Sequence, residues 1–259
     1  MKIATWNING VKARLDTALK WLGEADPDIV CLQEIKSVDE AFPGEAFERL
    51  GYNVTTHGQK GFNGVAILSK RPLEDPVRGL DGAPDDVQAR YLEGVVSTDD
   101  GVVRVASIYL PNGNPIETEK FPYKLAWAER LIARAEELRA LEEPTVLAGD
   151  YNVIPDAIDA KKPEVWVNDA LFQPESRDFY RRLQALGYVD AVRSTTDEPS
   201  YTFWDYQAGA WQRNNGIRID HLLLSPQAAD RLEDVTIDRD VRGWEKPSDH
   251  VPVIVTLGL

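Results

Sequence analysis

The sequence predicts a single α/β domain in which two packed β-sheets are covered by helices. Three observations lead to this expectation. Short apolar segments rich in β-branched residues recur along the chain, helical patterns stand between some of them, and no Pro/Ser/Gly-rich linker divides the 259 residues. A chain of this length can bury one large core, and two covered sheets would use this number of elements well. We therefore expect residues 1–259 to form one domain.

The predicted elements alternate between strands and helices. The strand candidates are Lys2–Ile8, Asp28–Gln33, Tyr52–His57, Val65–Ser69, Tyr91–Ser97, Val102–Leu110, Thr145–Gly149, Ile217–Leu224, Val235–Asp238 and Val251–Leu257. An apolar stripe from Val11 to Leu22 predicts a first helix that ends near Gly23. The range Lys124–Leu141 has the longest helical pattern, and Ser176–Leu186 predicts a third helix.

The charge balance is acidic, with 29 Lys and Arg against 43 Asp and Glu, a net charge of −14. This balance argues mildly against a nucleic-acid partner, because phosphates are usually met by basic surface. Carboxylates that hold a metal ion also count as acidic, so net charge is a weak guide for an enzyme.

Cysteine and apolar content exclude other classes. Cys31 is the single cysteine, so there is no intrachain disulfide, and three scattered histidines make a Cys/His zinc site improbable. No run approaches about 18 apolar residues, and the N-terminal residues do not resemble a signal peptide. We expect a cytoplasmic protein without a membrane partner.

Polar side chains suited to chemistry stand at the ends of six apolar segments. They are Asn7, Gln33–Glu34, Tyr109, Asp150 with Asn152 two residues later, Asp220, and Asp249–His250. Each alone has a simpler interpretation, because an Asp after a strand is usually a turn or cap residue and Asn9–Gly10 is a strong turn signal. Independent turns need not repeat this selection of side chains, however. Strands packed side by side would gather these groups into one cleft.

Such a set is typical of metal-assisted phosphodiester hydrolysis. Mg²⁺ takes oxygen ligands, and one or two carboxylates such as Glu34 suffice to hold it. The ion would stabilise charge on the phosphate and on the leaving oxygen. A His oriented by an Asp can contact a phosphoryl oxygen or transfer a proton, and a second Asp can activate water. Asn and Tyr donors would complete the phosphate site.

Longer motifs identify a family. They are Trp6–Gly10, Leu32–Lys36, Gly58–Lys70, Tyr109–Gly113, Gly149–Asn152, Tyr201–Tyr206, Arg218–Asp220 and Lys246–His250. On these motifs the chain resembles the exodeoxyribonuclease III family, the bacterial apurinic/apyrimidinic (AP) endonucleases of the endonuclease/exonuclease/phosphatase superfamily. The resemblance implies a four-layer α/β sandwich with two mixed sheets face to face and helices outside.

The resemblance also implies roles for individual residues. Glu34 is expected to be the principal Mg²⁺ ligand, with Asn9 and Asp249 near the ion, and Mn²⁺ is expected to substitute. Catalysis is expected from a second set, in which Asp150 activates water or protonates the leaving oxygen. The other members of that set are Asn7, Asn152, Tyr109, His250 and Asp220, which orients His250.

Substrate contacts follow from the same resemblance. Phe203, Ile217 and Ile219 are expected to line a pocket for a sugar without a base. The DNA-contact candidates are Lys36, Lys60, Lys70, Arg90, Asn112 and Arg213. The range 58–71 has basic residues and no acidic one, which is unusual in a chain of charge −14.

The leading functional hypothesis is a monomeric DNA-repair hydrolase. It would cleave duplex DNA 5′ to an abasic site, with 3′→5′ exonuclease and 3′-end-cleaning activity. A second hypothesis keeps the catalytic centre but gives it a phospholipid headgroup or inositol phosphate as substrate, which the acidic charge mildly favours. A third is a non-catalytic binding module, which the complete set of expected groups argues against. The number of metal ions, one or two, stays open.

Overall fold

The computed structural model describes residues 1–259 and contains two six-stranded sheets. The strands are β1 (Lys2–Asn7), β2 (Ile29–Gln33), β3 (Asn53–His57), β4 (Val65–Ser69), β5 (Leu73–Arg78), β6 (Tyr91–Thr98), β7 (Gly101–Tyr109), β8 (Thr145–Asp150), β9 (Val189–Asp190), β10 (Asp220–Leu224), β11 (Leu232–Ile237) and β12 (Val253–Leu257). The first sheet has the order β11-β12-β1-β2-β4-β3 and the second β5-β6-β7-β8-β10-β9. Both sheets are mixed, because β1 is parallel to β2 and β7 to β8 while the other pairs are antiparallel.

Six α-helices accompany the sheets. They are α1 (Leu15–Ala25), α2 (Gly44–Glu48), α3 (Lys120–Ala140), α4 (Pro174–Ala185), α5 (Ala191–Thr195) and α6 (Pro226–Ala229). Helix α1 packs on the outer face of the first sheet, and α3 and α4 pack on the outer face of the second. The predicted four-layer sandwich is confirmed. None of the helices has the length and apolar content needed to cross a membrane.

The alternation within β2 shows why the central strands are apolar throughout. Ile29 and Cys31 point into the core between the two sheets, whereas Val30 and Leu32 pack under α1. Successive side chains of a strand point to opposite faces, and here both faces are buried. Such a strand therefore appears in the sequence as an unbroken apolar run.

Two strands were not predicted. Strand β5 is an edge strand whose side chains are almost all exposed, and Asp75 has a φ of 48° where the pairing with β6 shifts register. An exposed, bulged edge strand lacks the alternation from which strands are predicted. Strand β9 has only two residues, which is too short for any pattern.

Several predicted boundaries differ from the structure, and two of them have a clear physical reason. Helix α1 continues through Gly23 to Ala25, because the left-handed cap is Asp26, whose φ is 47° and whose N–H donates to the Leu22 carbonyl. The predicted strand Ile217–Leu224 begins only at Asp220. Ile217 makes isolated bridges to Ala160 and Phe203 instead, so this segment leaves the sheet before the site is reached.

Strand register brings the polar strand ends together. Asn7 lies opposite Gln33 in the parallel pair β1–β2, and Tyr109 lies opposite Asp150 in the parallel pair β7–β8. Asp220, at the start of β10, also pairs with Asp150 because β10 is antiparallel to β8. The carboxyl ends of the two parallel pairs thus define one edge of the sandwich.

Candidate active site

Asp150 is the buried centre of this edge. Its Oδ1 accepts the backbone N–H of Asn152 at 3.0 Å, and its Oδ2 accepts the Asn7 side-chain amide at 2.9 Å. Gly149 makes this position possible, since a Cβ there would lie 2.0 Å from the Ile108 carbonyl oxygen of β7. Gly149 therefore permits the close packing of β7 and β8, and Asp150, the next residue, is placed in the site.

Asn7 joins the two sheets through its amide group. The same Nδ2 donates to Glu34 Oε1 and to Asp150 Oδ2, both at 2.9 Å, and its Oδ1 accepts the N–H of Asn9 at 3.0 Å. Beneath it, Gln33 donates to Ser107 Oγ at 3.1 Å across the sandwich. These bonds fix the separation of the two carboxylates at the mouth.

His250 and Asp220 form the second hydrogen-bonded pair. His250 Nδ1 lies 2.8 Å from Asp220 Oδ2, and Nε2 points towards Asp150 Oδ2 at 3.7 Å. The Phe203 ring packs against the imidazole with centroids 5.0 Å apart. Burial alone would lower the pKa of His250, but the carboxylates of Asp220 and Asp150 raise the pKa to about 10. The ring therefore carries a positive charge at neutral pH.

The two carboxylates near Asn7 have opposite acidities. Burial raises the pKa of Asp150 to about 7, with Asp220 adding to the shift and His250 opposing it. Glu34 is also largely buried, yet its pKa is lowered because the Asn7 hydrogen bond and the charges of Lys36 and His250 outweigh burial. Glu34 is thus suited to remain ionised, and Asp150 to exchange a proton near neutrality.

Three side chains present possible metal-ligand atoms to a common point. Atoms of Glu34, Asp150 and His250 lie within 4.8 Å of one another. The two carboxylates are the hard oxygen ligands that Mg²⁺ and Mn²⁺ take, whereas an imidazole suits softer ions. The donor set therefore fits a hard divalent cation held by Glu34, with the Asp150 carboxyl group within 4.8 Å of its ligand atom.

The other two predicted metal residues face each other. The Asn9 amide donates to Asp249 Oδ1 at 3.1 Å, while its Oδ1 accepts from Lys36 Nζ at 2.6 Å. Lys36 also lies 3.1 Å from Glu34 Oε2. The oxygen of Asn9 is thereby directed at an ammonium group. Lys36, predicted to contact DNA, is a half-buried partner of the metal-binding side chains.

Tyr109 and Asn152 flank Asp150. Burial and the carboxylates of Glu34 and Asp150 raise the pKa of Tyr109, so the phenol keeps its proton and can donate it in a hydrogen bond. The Asn152 side chain donates to the Leu110 carbonyl at 2.8 Å and accepts from Asn112 at 3.3 Å. Asn152 thus orients Asp150 through its backbone N–H, with its side chain anchored in the neighbouring loop.

The predicted pocket residues are neighbours in one apolar cluster. Ile217 and Ile219 are 2% and 3% exposed and pack with Ile154 and Leu171, and the half-buried Phe203 connects this cluster to His250. Trp166 belongs to the same cluster and was not predicted. The cluster lies beside the catalytic pair, and its role in binding a sugar stays a prediction.

The predicted DNA-contact residues divide into two groups. Lys60 lies in the loop that joins β3 and β4 at the site edge, and Arg90 donates to the Tyr109 carbonyl at 3.2 Å. Asn112 and Arg213 are exposed on loops. Lys70 lies apart from the other candidates, because it follows the far end of β4, where its ammonium pairs with Asp26 at 2.8 Å. Lys60 and Lys70 are close in sequence, but strand β4 lies between them and places them at opposite ends of the sheet.

Sequence reasoning missed two residues that hold the site. Thr202 Oγ1 accepts the backbone N–H groups of Ile219 and Asp220, both at 3.1 Å, and so fixes the start of β10. Lys124 is a lysine in the apolar stripe of the longest predicted helix. A charged residue in phase with buried positions is the signal that would have found it.

Comparisons with known proteins agree with this geometry. A sequence model described as the endonuclease/exonuclease/phosphatase family matches residues 4–250. Exodeoxyribonuclease III of Haemophilus influenzae is 37% identical over 262 residues, covering 98% of each chain. An AP endonuclease from Archaeoglobus fulgidus superimposes with a TM-score of 0.94 at 38% identity, and the 3′ phosphatase NExo from Neisseria, bound to product DNA hairpin, with 0.96 at 36%. Both structural matches cover 100% of each chain.

Proposed function

The chain belongs to the endonuclease/exonuclease/phosphatase family, and from that premise we propose that it is a Mg²⁺-dependent DNA-repair nuclease. It incises duplex DNA on the 5′ side of abasic sites, leaving a 3′-hydroxyl and a 5′-deoxyribose phosphate. It also removes nucleotides and blocking groups from 3′ ends, in keeping with relatives named as an exodeoxyribonuclease, an AP endonuclease and a 3′ phosphatase.

One observation carries the proposal. Asn7, Glu34, Asp150, Asp220 and His250 come from distant parts of the sequence and form one connected cluster at a single edge of the sandwich. The cluster combines an ionised carboxylate, a carboxyl group that titrates near neutrality and an imidazolium. Hydrolysis of a phosphodiester needs these three capacities.

Glu34, whose carboxylate stays ionised, would hold the divalent cation, and Asp150 faces the same point. When bound, the ion supplies positive charge that offsets the charge developing on the phosphate and leaving oxygens. Lys36 is fixed against the outer oxygen of Glu34, which leaves Oε1, the Asn7-bonded oxygen, directed towards Asp150. The number of ions stays open within this arrangement.

The remaining groups bind and orient the phosphate. His250, held by Asp220, donates from Nε2 to a phosphate oxygen, and the Tyr109 phenol donates to another. Asp150 exchanges a proton either with the attacking water or with the leaving oxygen, and a pKa near 7 suits both roles. Asn7 and the backbone N–H of Asn152 keep its carboxyl group aligned.

DNA contacts would extend from this centre in two directions. Phe203, Ile217 and Ile219 lie on the His250 side, where an apolar wall can receive a sugar that lacks a base. Lys60, Arg90 and Asn112 lie towards Tyr109, with Arg213 on a separate loop. Because one chain supplies the complete cluster, we propose that a monomer is active. We also propose that it acts in the cytoplasm, beside the DNA that it repairs.

The test uses a labelled duplex with one tetrahydrofuran abasic analogue. We expect a Mg²⁺-dependent nick on the 5′ side of the analogue, full loss of cleavage with EDTA, and restored cleavage with Mn²⁺. A duplex with a 3′-phosphate should lose that phosphate under the same conditions. Absence of both activities, with hydrolysis of a small phosphodiester intact, would instead favour a phospholipid-headgroup or inositol-phosphate substrate.

A further inference from the structure

Lys124 is a charged side chain in an apolar position. It lies in the second turn of α3, is 1% exposed, and shares a face with the core residues Trp127 and Leu131. An ammonium group is expensive to bury unless its hydrogen bonds are satisfied. A lysine at this position therefore calls for an explanation that packing does not provide.

The Lys124 ammonium ties three chain segments together. Nζ donates to the carbonyl of Asn152 at 2.6 Å, to that of Asn112 at 3.1 Å and to that of Ala170 at 3.4 Å. An ammonium has three N–H groups, so three backbone acceptors use them all. The segments that carry these carbonyls are the turn after β8, the loop after β7, and the loop before α4.

Two of these carbonyls belong to residues next to the reaction centre. Asn152 has a φ of 46°, a left-handed conformation that costs free energy in a residue other than glycine, and its N–H holds Asp150 Oδ1. Its amide side chain meets Asn112, the other anchored residue, at 3.3 Å. Lys124 thus stabilises a strained turn whose function is to aim the Asp150 carboxylate.

Gly113 provides the space for the lysine stem. Its φ is 89°, and a Cβ at this residue would lie 2.6 Å from Lys124 Cδ. The loop after β7 is therefore shaped around the lysine. Burial lowers the pKa of Lys124 to about 7, while the negative charges of Asp169 and Asp150 favour its charged form. The three backbone carbonyls around Nζ match the three N–H groups of the protonated amine.

We propose that Lys124 is a positioning residue for phosphodiester hydrolysis: by clamping the carbonyls of Asn152, Asn112 and Ala170, it holds the Asp150 turn in its reactive geometry. The inference rests on the proposed function, because it assigns Lys124 to that same centre. Lys124 does not touch the substrate. Its removal should therefore reduce kcat and leave KM for DNA nearly unchanged.

The experiment compares three variants with the parent protein. Lys124→Met keeps the length of the stem and removes every donor, Lys124→Gln keeps an amide donor without charge, and Leu131→Ala weakens the same helix face two turns away. Nicking of the tetrahydrofuran duplex and hydrolysis of bis(p-nitrophenyl) phosphate are measured at a temperature where circular dichroism shows each variant folded.

We expect kcat to fall about 100-fold in Lys124→Met, because a displacement of roughly 1 Å has that effect on a reacting group. Lys124→Gln should be intermediate, and Leu131→Ala should retain the parental kcat. A parental kcat in Lys124→Met, or an equal loss in Leu131→Ala, would overturn the proposal.

The proposal can still be tested in two less favourable cases. If Lys124→Met does not fold, Lys124→Gln alone must lower kcat relative to Leu131→Ala, and an equal kcat in the two overturns the proposal. If the parent hydrolyses bis(p-nitrophenyl) phosphate but does not nick the abasic duplex, the proposed DNA substrate fails. The kcat comparison on the small substrate then still tests Lys124.

Discussion

Two buried histidines lie on opposite faces of strand β10, and one is charged while the other is neutral. His250 is paired with Asp220 at the start of β10, and His221 is the next residue along that strand. The pKa of His250 is raised to about 10, whereas burial and the adjacent Arg218 lower the pKa of His221 to about 4. Both rings are fully desolvated, so burial does not distinguish them. The sign of the neighbouring charge does.

The partners of His221 form a closed structural network. Its Nε2 lies 3.0 Å from the Val153 carbonyl and its Nδ1 3.1 Å from Arg218 Nη1, which fits a neutral ring protonated on Nε2. Arg218 in turn bonds Asp159 at 2.7 Å and Asp190 at 2.9 Å, all three buried. Arg193 also bonds Asp159 at 2.7 Å, so two guanidinium groups face the two carboxylates.

The catalytic cluster is arranged in the opposite way. Glu34, Asp150, Asp220 and Asp249 bring more negative charge to the edge than Lys36 and His250 offset. Alternation along β10 separates the two regions, because Asp220 and His221 point to opposite faces. The comparison teaches that unmatched negative charge, which a bound cation can neutralise, marks the functional face.

The largest expected effect is the difference in activity between His250→Gln and His221→Gln. His250→Gln removes the imidazolium that binds the phosphate, so kcat for nicking should fall by about 10²–10⁴, the usual contribution of such a group. His221→Gln should retain the parental kcat at temperatures where it is folded. Single-turnover nicking and DNA binding by fluorescence anisotropy measure the pair. Equal losses in kcat would erase the distinction between the two regions.

Asp150→Asn should have an effect of similar size for a different reason. The amide keeps the shape of the carboxyl group but cannot exchange a proton, so kcat should fall by at least about 10³-fold. DNA affinity should persist or rise, since the variant removes a negative charge. The measurement is the rate of nicking at saturating enzyme. A near-parental rate would remove Asp150 from the chemistry.

Arg218→Met should instead destabilise the fold. It leaves the buried Asp190 carboxylate without its ion-pair partner and Asp159 with only Arg193, which typically costs about 3–5 kcal/mol of unfolding free energy. Urea unfolding followed by fluorescence measures this change. As a matched control, Arg182→Met breaks an ion pair with Glu129 on the exposed surface and should have little effect. A small loss in Arg218→Met would mean that the network is not structurally important.

The sequence was sufficient to predict the catalytic cluster because strand ends are local signals. Glu34 and Asp150 stand at the ends of apolar runs, and His250 stands directly before one. The parallel pairs β1–β2 and β7–β8, with β12 antiparallel to β1, then bring these residues to one edge. Their convergence is confirmed by the structure. The separation of Lys70 from Lys60 could not be predicted in this way, because proximity in sequence says nothing about which end of β4 each residue occupies.

The structural network was harder to foresee. Arg218 and His221 flank Asp220 in sequence, yet Asp159 ends a short 3₁₀ turn and Asp190 belongs to the two-residue strand β9, and both are too short to show a periodic pattern. Nothing in a single sequence states which acidic side chain among 43 will be buried beside an arginine. Lys124 is intermediate, because its place in an apolar stripe predicts burial but not its three carbonyl partners.

Acid stability should reveal His221 specifically. Its folded pKa of about 4 lies below the value of about 6.5 in an unfolded chain, so the unfolded state binds the proton more readily between these limits. The free energy of unfolding is therefore unaffected by this group above pH 6.5. It falls by about 3 kcal/mol as the pH is lowered from 6.5 to 4. His221→Gln should flatten this limb of the urea-unfolding profile. An unchanged acid limb would contradict the assignment of a neutral ring.

The smallest effect, and the most direct test, is a titration of the metal-free protein by NMR. Neither buried ring signal should shift appreciably between pH 5 and 8, because His250 stays protonated and His221 stays neutral over this range. Asp220→Asn removes the carboxylate that most strongly stabilises the charged form of His250, so it should lower the pKa of His250 into the observable range. His221 lies on the other face of β10 and should not respond to that change. If both rings shifted together in Asp220→Asn, the two regions would be electrostatically coupled, and the separation by strand alternation would fail.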